Sequence, residues 1–392
     1  MKLLLVPASL AVIYLLAWAV SSDRRGIRYR PLLVMLVTQI VLAFLLLNTS
    51  AGAWLIGGFA AGFEALLGFA GEGIEFVFGG MVNEGAFSFF VAVLLPIVFI
   101  SALIGILQYI GVLPLLMRGI GWLLSWFNGM GRLESYNGIA SLVLGQSEVF
   151  ISLKKQLGRL PKQRLYTLCA SAMSTVSMSI VGAYMQMIEP RFVVTALALN
   201  LFGGFMIASI INPYRVSADE DLLEVENPRN QAFFEMLGEY ILDGFKVAVI
   251  VAAMLIGYVA LIAMINGLCE SLVGIDFQTL IGYLFAPLAI LIGIPPAESV
   301  AGGSLIATKL LSNEFVAMLQ LGQYTELGPR AVGIISVFLV SFANFSSIGI
   351  IVGAIKALND PQGTEVARFG LKLLYGATLV SLLSGTVAGL FL

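Results

Sequence analysis

Two short stretches of this chain place carboxylate and amide side chains inside long apolar regions. The first is Gln146-Ser147-Glu148, and the second is Asn313-Glu314. Each of these groups is costly to remove from water unless it gains a hydrogen-bond partner. Together the amides, the hydroxyl and the carboxyls could bind a hydroxyl-rich neutral solute or carry a proton. Their types and positions therefore predict a hydrated binding site.

The composition of the chain predicts that this site lies in a membrane. Of the 392 residues, 59% are hydrophobic and only 11% are charged. A soluble domain carries about 25% charged residues. The apolar runs are long and unbroken, whereas a β-barrel would show ~10-residue segments of alternating polarity. We therefore predict an all-α polytopic membrane protein.

The same composition argues against several classes of function. The chain has no histidine, which excludes Ser-His-Asp and Cys-His catalysis and histidine proton relays. Its two cysteines, Cys169 and Cys269, lie in apolar runs and predict neither a disulfide framework nor a metal site. The net charge of −2 gives no reason to expect a nucleic-acid partner. We expect no enzyme activity, no cofactor and no metal.

Hydrophobic runs of about 20 residues predict eight transmembrane helices. These runs are 3–20, 31–47, 89–109, 165–187, 191–211, 244–268, 330–355 and 367–392. The first run leads into a charged sequence without a small-residue cleavage site, so we interpret it as a retained span. Three further stretches contain glycines, acidic residues or tryptophans and predict interfacial helices. They are 51–80, 112–130 and 277–294.

Segments 132–164 and 295–323 contain the two polar tips, and their apolar arms are too short to cross a bilayer. This pattern predicts re-entrant hairpins, which are tolerated only where they are buried in protein or line a cavity. Each hairpin precedes a span with a polar centre, Ser171–Ser179 or Ser341–Ile348. The first centre predicts either hydrogen bonds between helices or a break in the span. Two such pairs predict inverted repeats with a transporter binding site between them.

The repeats divide the chain into four parts. Residues 1–131 form mainly scaffold, and 132–211 form the first transport repeat. Residues 212–294 contain a surface loop, a scaffold span and an interfacial helix, and 295–392 form the second transport repeat.

The distribution of basic residues predicts the orientation of these parts. If the N-terminus lies outside, every Lys and Arg faces the cytoplasm except Lys2, Arg191, Lys309 and Arg330. This asymmetry is the one that the positive-inside rule requires. It places the first hairpin on the cytoplasmic side and the second on the outer side.

The residue types also restrict the solute. No fixed cation stands among the polar tip residues, so the site suits a neutral solute better than an anion. Phe342 lies two positions from Asn344 and would offer an aromatic face to a planar ring.

Uphill transport requires a coupling ion, and two ions are possible. Without histidine, a proton would be carried by Glu148 or Glu314, because burial favours the neutral acid. Sodium would instead use backbone carbonyls and the hydroxyls of residues such as Ser141, Ser177 and Ser179. Both alternatives are open at this point.

Four motifs resemble the concentrative nucleoside transporter family, most closely its bacterial proton-coupled nucleoside permeases. They are Gly145–Glu148, Ser174–Tyr184, Asn313–Ala317 and Ser341–Gly349. The resemblance covers essentially the whole chain. It implies a homotrimer in the lipid bilayer of a bacterial inner membrane, with eight spans and two re-entrant hairpins. It also implies proton-coupled symport of nucleosides, preferably pyrimidine nucleosides such as uridine, by an elevator mechanism.

The resemblance also implies roles for individual residues. The nucleobase would be contacted by Gln146, Ser147 and Glu148, with Phe342 beside it. The ribose hydroxyls would be held by Glu314, Asn344 and Ser347.

Two departures from the sodium-coupled members bear on the coupling ion. The resemblance implies that sodium-coupled members have asparagine where this chain has Ser141. They also often have threonine where it has Ser147. The first departure favours protons. Ser179 and the carbonyls of Leu144 and Ile180 match the other sodium-ligand positions, so sodium coupling is the alternative. A membrane-embedded enzyme and a channel are the alternatives from other classes.

Overall fold

A computed structural model describes residues 2–79, 88–217, 221, 223–224 and 231–392 of the protein. Every regular element within these residues is helical, and eighteen α-helices follow one another along the chain. Some residues of the predicted surface loop 212–231 and of the predicted interfacial stretch 51–80 lie outside the described residues.

The N-terminal third forms five helices and one π-helical turn. They are α1 (Lys2–Ala19), α2 (Tyr29–Asn48), α3 (Ser50–Phe78), the turn Phe90–Leu94, α4 (Pro96–Tyr109) and α5 (Val112–Ser125). The hydroxyl of Thr49 caps α3 by accepting the N–H of Gly52 at 3.0 Å. Pro96 has no N–H to donate and begins α4, which explains the irregular turn before it.

The first repeat contains a hairpin, a broken span and a continuous span. The hairpin consists of α6 (Arg132–Leu144), α7 (Glu148–Ser152) and α8 (Lys154–Leu157). The two spans are α9 (Lys162–Met173) with α10 (Met178–Met187), and α11 (Pro190–Ile211). The first predicted polar centre is therefore a break in the helix.

The second repeat has the same order of elements and follows two helices of the scaffold. The scaffold helices are α12 (Phe233–Val273) and α13 (Phe277–Leu291). A 3-10 turn, Pro296–Glu298, then leads into the hairpin of α14 (Ser299–Leu311) and α15 (Glu314–Leu321). The broken span is α16 (Pro329–Leu339) with α17 (Phe345–Leu358), and α18 (Asp360–Gly389) ends the repeat.

Most predicted elements occur at the predicted places, with two differences. The predicted span 244–268 is only the middle of α12, which continues as one helix of 41 residues. The helix continues through Gly238, Gly244 and Gly267 and ends only at Gly274, whose φ of +76° terminates it. The predicted interfacial stretch 51–80 forms the 29-residue α3, which is long and apolar enough to cross a membrane. Its position at the interface stays a prediction.

The core of the molecule lies between the repeats. In the most apolar window of each helix, 83% of α11 and 78% of α18 are buried, compared with 11% of α3 and α12. The breaks of the two repeats touch, because the N–H of Phe342 donates to the carbonyl of Thr175 at 3.1 Å. Asn200 on α11 donates to the carbonyl of Val340 at 2.5 Å. The repeats therefore pack as one interleaved body, and α3 and α12 lie at its outside.

Candidate functional site

The tip of the first hairpin is shaped by a glycine. Gly145 ends α6 with a φ of +110°, a conformation that other residues rarely adopt. A Cβ atom at this position would lie 2.8 Å from Oε2 of Glu148 and 3.0 Å from Cβ of Ser177. The glycine therefore lets the Glu148 carboxyl and the first broken span approach the backbone of the tip.

Most hydroxyl groups at the break between α9 and α10 form hydrogen bonds with the two halves of their own broken span. Ser174 donates to the carbonyl of Ala170 at 2.7 Å, and Thr175 donates to that of Ser171 at 3.2 Å. Both hydroxyls thus bond to carbonyls in the last turn of α9, where the N–H of Ser174 also donates to the carbonyl of Ala170 at 3.1 Å. These bonds replace the bonds to neighbouring helices that were one of the two sequence-based alternatives.

The tip of the second hairpin and the second break are both closed by asparagine caps. Asn313 accepts the N–H of Val316 at 3.0 Å and so caps α15. Asn344 accepts the N–H of Ser347 at 2.9 Å and so caps α17. Its oxygen also accepts the hydroxyl of Ser346 at 2.7 Å. Both caps fix short helices whose N-termini point toward the same region.

Glu314 joins the second hairpin to both broken spans. Its Oε1 accepts the hydroxyl of Tyr184 on α10 at 2.7 Å. Its Oε2 accepts the amide of Asn344 at 3.0 Å. Both oxygens are thus held in fixed directions, each with further capacity to accept a hydrogen bond. Tyr184 was not predicted as a site residue, although it ends one of the four motifs.

Residues of both hairpin tips and both breaks surround one cavity of about 550 Å³. All seven residues predicted to bind substrate line this cavity. They are Gln146, Ser147, Glu148, Glu314, Phe342, Asn344 and Ser347. Phe345, a second aromatic residue beside Asn344, is not among the lining residues, and its side chain is about half exposed.

Two helices of the predicted scaffold, α4 and α12, supply a wall that the sequence did not predict. Gln108 on α4 and Tyr240 and Asp243 on α12 line the cavity opposite the hairpins. Gln108 is 6% exposed, and its amide oxygen has no hydrogen-bond partner within the protein, as is also true of Gln146. A lone amide within the apolar run 89–109 was the available sequence signal for Gln108.

The charges around the cavity are all of one sign. Four carboxyl groups line it, those of Glu148, Glu239, Asp243 and Glu314, and none of the described lining residues is Lys or Arg. An anion would be repelled by this surface, whereas hydroxyl and N–H donors would find acceptors. The cavity therefore suits a neutral polar solute.

The four residues predicted for a sodium site are only partly brought together around the cavity. Leu144, Ser179 and Ile180 line it, but Ser141 is fully buried and does not. The Ser141 hydroxyl donates to the carbonyl of Asn137 in its own helix at 2.7 Å. The hydroxyl of Ser179 lies 2.8 Å from that of Ser177.

Comparison with protein-family models gives three adjoining matches. Residues 8–81 match the model described as "Na+ dependent nucleoside transporter N-terminus". Residues 90–191 match the model "Gate", described as "Nucleoside recognition". Residues 192–389 match the model "Na+ dependent nucleoside transporter C-terminus". The matches cover both repeats and the scaffold.

Curated relatives match over almost the full length. The purine nucleoside transport protein NupG of Bacillus subtilis is 36% identical, with 100% of both chains covered. The putative nucleoside permease NupX of Escherichia coli is 32% identical, covering 98% of this chain and 97% of that one. The nucleoside permease NupC of Helicobacter pylori is 29% identical, covering 98% and 96%.

Solved structures of a protein named CNTnw match this chain over its whole length in three dimensions. CNTnw in an inward-facing substrate-bound state has a TM-score of 0.93 at 30% identity, covering 100% of this chain and 99% of that chain. A double variant of CNTnw in an outward-facing state also has a TM-score of 0.93, at 31% identity, covering 100% and 98%.

The helices, the cavity and these likenesses define an all-α, multi-pass membrane transporter, as the sequence predicted. The chain belongs to the concentrative nucleoside transporter family. Its relatives are transporters of nucleosides rather than enzymes, and nucleoside transport is the function of this protein.

Proposed function

We propose that the protein is a symporter that takes up nucleosides together with protons, and that the cavity between the hairpins is its substrate site. The observation that carries this proposal is the meeting of both hairpin tips and both breaks at one cavity. The residues come from two repeats, and paired interrupted segments of this kind are typical of transporter binding sites.

The site residues divide by their surroundings into two groups. Glu314 and Asn344 form a hydrogen-bonded pair that is oriented by Tyr184, and such a rigid set of acceptors suits the ribose hydroxyls. Gln146, with Ser147 and Glu148 beside it, has an amide oxygen without a partner. We propose that this second group binds the nucleobase and that Phe342 packs against it.

The roles in the site predict different effects for two matched substitutions. Asn344→Ala removes both a helix cap and the donor to Glu314, whereas Asn359→Ala removes only the cap of α18. Each lost cap costs about 1 kcal/mol of stability. Asn344→Ala also leaves one oxygen of Glu314 without its donor, so it should lower the melting temperature at least as much as Asn359→Ala does. Calorimetric titration should show that nucleoside binding is abolished by Asn344→Ala and by Glu314→Gln but retained by Asn359→Ala. Wild-type affinity of Asn344→Ala or Glu314→Gln for uridine and adenosine would refute the assignment.

Proton coupling is supported by Ser141, which stands where the sodium-coupled members have asparagine and which does not line the cavity. The hydroxyls of Ser141 and Ser179 bond within the protein, but their oxygens keep lone pairs for a cation, so these bonds favour neither ion. Glu148 and Glu314 are the carboxyls available to carry a proton. Sodium coupling through Ser141, Leu144, Ser179 and Ile180 is the alternative.

The coupling ion is tested with purified protein in proteoliposomes. Labelled nucleoside should accumulate when the outside is acidified without sodium, and an ionophore that dissipates the pH gradient should abolish this accumulation. Glu148→Gln should abolish proton-driven accumulation if Glu148 carries the proton. Accumulation with a sodium gradient alone would instead establish the sodium-coupled alternative, and purely downhill flux would indicate a channel.

The base preference has two candidates. Similarity to the bacterial proton-coupled permeases favours pyrimidine nucleosides such as uridine. The relative NupG, by contrast, is described as a purine nucleoside transport protein. Titration with uridine, cytidine, adenosine and inosine under identical conditions separates them by affinity.

The larger organisation is part of the same proposal. Residues 132–211 and 295–392 would form the carrier that moves, while 1–131 and 212–294 would contain most of the scaffold. We propose a homotrimer in a bacterial inner membrane, with the N-terminus outside and elevator-type movement of the carrier.

A further inference from the structure

One basic residue is buried inside the second repeat without lining the cavity. Lys309 lies on α14, two residues before the end of the helix, and its side chain is 0% exposed. A buried lysine is rare unless its charge is compensated. Its surroundings therefore have to explain both its charge and its position.

Five hydrogen bonds around Lys309 determine its protonation. Its Nζ lies 2.6 Å from the carbonyl oxygen of Phe338, 2.7 Å from the hydroxyl of Ser341 and 3.0 Å from that of Ser381. The two hydroxyls lie 2.8 Å from each other, and Ser381 also donates to the carbonyl of Ala377 at 3.2 Å.

These five bonds need five hydrogen atoms. The two hydroxyls supply one each, and the carbonyls supply none. Lys309 must then supply three, which an ammonium has and a neutral amine lacks. The complete network therefore requires the charged form of Lys309.

The three oxygens that accept from Lys309 belong to the second break and the last helix. Phe338 is next to the last residue of α16, so its carbonyl has lost its helical partner. A cation is favourable at such a helix end, and Nζ also lies 4.4 Å from the centre of the Phe338 ring. Ser341 lies in the break itself, and Ser381 lies on α18. One ammonium thus joins the hairpin arm α14 to α16, the break and α18.

The charge has its counterpart at the tip of the same hairpin. Glu314 stands five positions after Lys309, and the two groups attract each other electrostatically. Neither group contacts the other directly, because Lys309 is bonded to neutral oxygens and Glu314 to Tyr184 and Asn344. Each oxygen of Glu314 thus accepts a bond, and none of the described residues that line the cavity is Lys or Arg.

We propose that Lys309 is a positioning residue, a built-in cation of the second repeat. It fixes the break between α16 and α17 in the form that presents Asn344 to Glu314, and it balances the negative charge of Glu314. This inference deepens the proposed nucleoside site and rests on it.

The test uses two substitutions of Lys309 in the purified full-length protein. Lys309→Met fills the space without a charge, and Lys309→Ala leaves a space lined by the carbonyl and the two hydroxyls. We expect both variants to bind uridine and adenosine about tenfold or more weakly, because an uncompensated buried carboxylate is costly. Methylammonium or ammonium chloride should restore much of the affinity of Lys309→Ala but not of Lys309→Met. Choline chloride, whose cation is too large for the space, serves as the control for ionic strength.

The outcomes separate this inference from the proposed function. Failure of the wild-type protein to bind any nucleoside contradicts the proposed function and the inference together. Normal binding by the wild type and by folded Lys309→Met overturns the inference alone, as does an absence of amine rescue in folded Lys309→Ala.

A third variant covers the case in which neither substitution folds. Ser381→Ala keeps the lysine and removes one of its acceptors, so we expect a several-fold loss of affinity together with a lowered melting temperature in a protein that still folds. Wild-type affinity in Ser381→Ala overturns the inference in that case.

Discussion

At the scale of single residues, the site depends on which polar groups find partners. Glu314 is oriented by two donors from other elements, and Gln108 and Gln146 each retain an amide oxygen without a partner in the protein. The first arrangement gives rigid acceptors, and the second leaves capacity for a ligand. Acceptors that are already oriented in the free protein raise affinity, because less conformational entropy is lost when the ligand binds.

Tyr184→Phe tests the orienting role of a single hydroxyl. It removes the donor to Oε1 of Glu314 and leaves the ring in place against Phe315. A hydrogen bond to a charged group contributes about 1.5–3 kcal/mol, so calorimetry should show roughly 10- to 100-fold weaker nucleoside binding.

Tyr166→Phe is the matched control for this prediction. Its hydroxyl donates to the carbonyl of Lys372 outside the cavity. We expect it to lower the melting temperature slightly and to leave affinity unchanged. Equal effects of the two substitutions on affinity would contradict an orienting role for Tyr184.

At the scale of elements, the function depends on interrupted helices. An unbroken helix uses its carbonyls internally, whereas a break frees polar groups in the middle of the protein. The breaks at Ser174–Ser177 and Val340–Asn344 are closed by hydroxyls, by asparagine caps and by Lys309. The tip of the first hairpin has a glycine instead.

Gly145→Ala tests that tip. The backbone conformation is nearly restricted to glycine, so alanine should cost about 1–3 kcal/mol of stability. The new Cβ would also push against the Glu148 carboxyl and Ser177. Thermal unfolding should occur at a lower temperature, and nucleoside affinity should fall with it.

Gly257→Ala is the control for an added methyl group. Gly257 lies within α12 and has nothing within 4 Å of a Cβ position. Alanine is the better helix former by about 0.5–1 kcal/mol, so stability should stay the same or rise. A Gly145→Ala variant as stable as Gly257→Ala would contradict the strained geometry of the tip.

At the scale of the whole molecule, the most buried of the long apolar helices, such as α11 and α18, belong to the two repeats, and the most exposed, α3 and α12, belong to the proposed scaffold. Helix α12 presents most of its surface outward, yet Tyr240 and Asp243 reach the cavity. The substrate would therefore lie between a carrier and a wall that does not move with it. Such a division permits alternating exposure of the site to the two sides of the membrane.

Spin-label distances test this division. A label at Ile256 on α12 and one at Leu371 on α18 should change their separation when nucleoside is added, because one lies on the proposed scaffold and the other on the carrier. A pair at Leu319 and Leu371, both on the second repeat, should keep its distance distribution. A changed distance between Leu319 and Leu371, or an unchanged distance between Ile256 and Leu371, would be inconsistent with an elevator mechanism. Both native cysteines would be replaced before labelling.

The order of the helices and the positions of the interruptions were predictable from local patterns. Hydrophobic length indicates a span, and polar residues within an apolar run indicate a break or tip, whatever the remaining chain does. For this reason Glu148, Glu314 and Asn344 were recognisable as candidate site residues, and all three line the cavity. The predicted span 244–268 is only the apolar middle of α12, because the helix continues through flanking polar residues as far as Gly274.

By itself, then, the sequence determined the fold class, the paired hairpins and the residues of their tips. Only the tertiary structure decided which groups meet. Tyr184 reaches Glu314 across 130 positions of sequence, and Lys309 reaches Ser381 across 72. Such pairings depend on how rigid helices pack, and no local pattern specifies that packing. The same holds for Gln108 and the α12 wall, which face the cavity only because the scaffold packs against the hairpins.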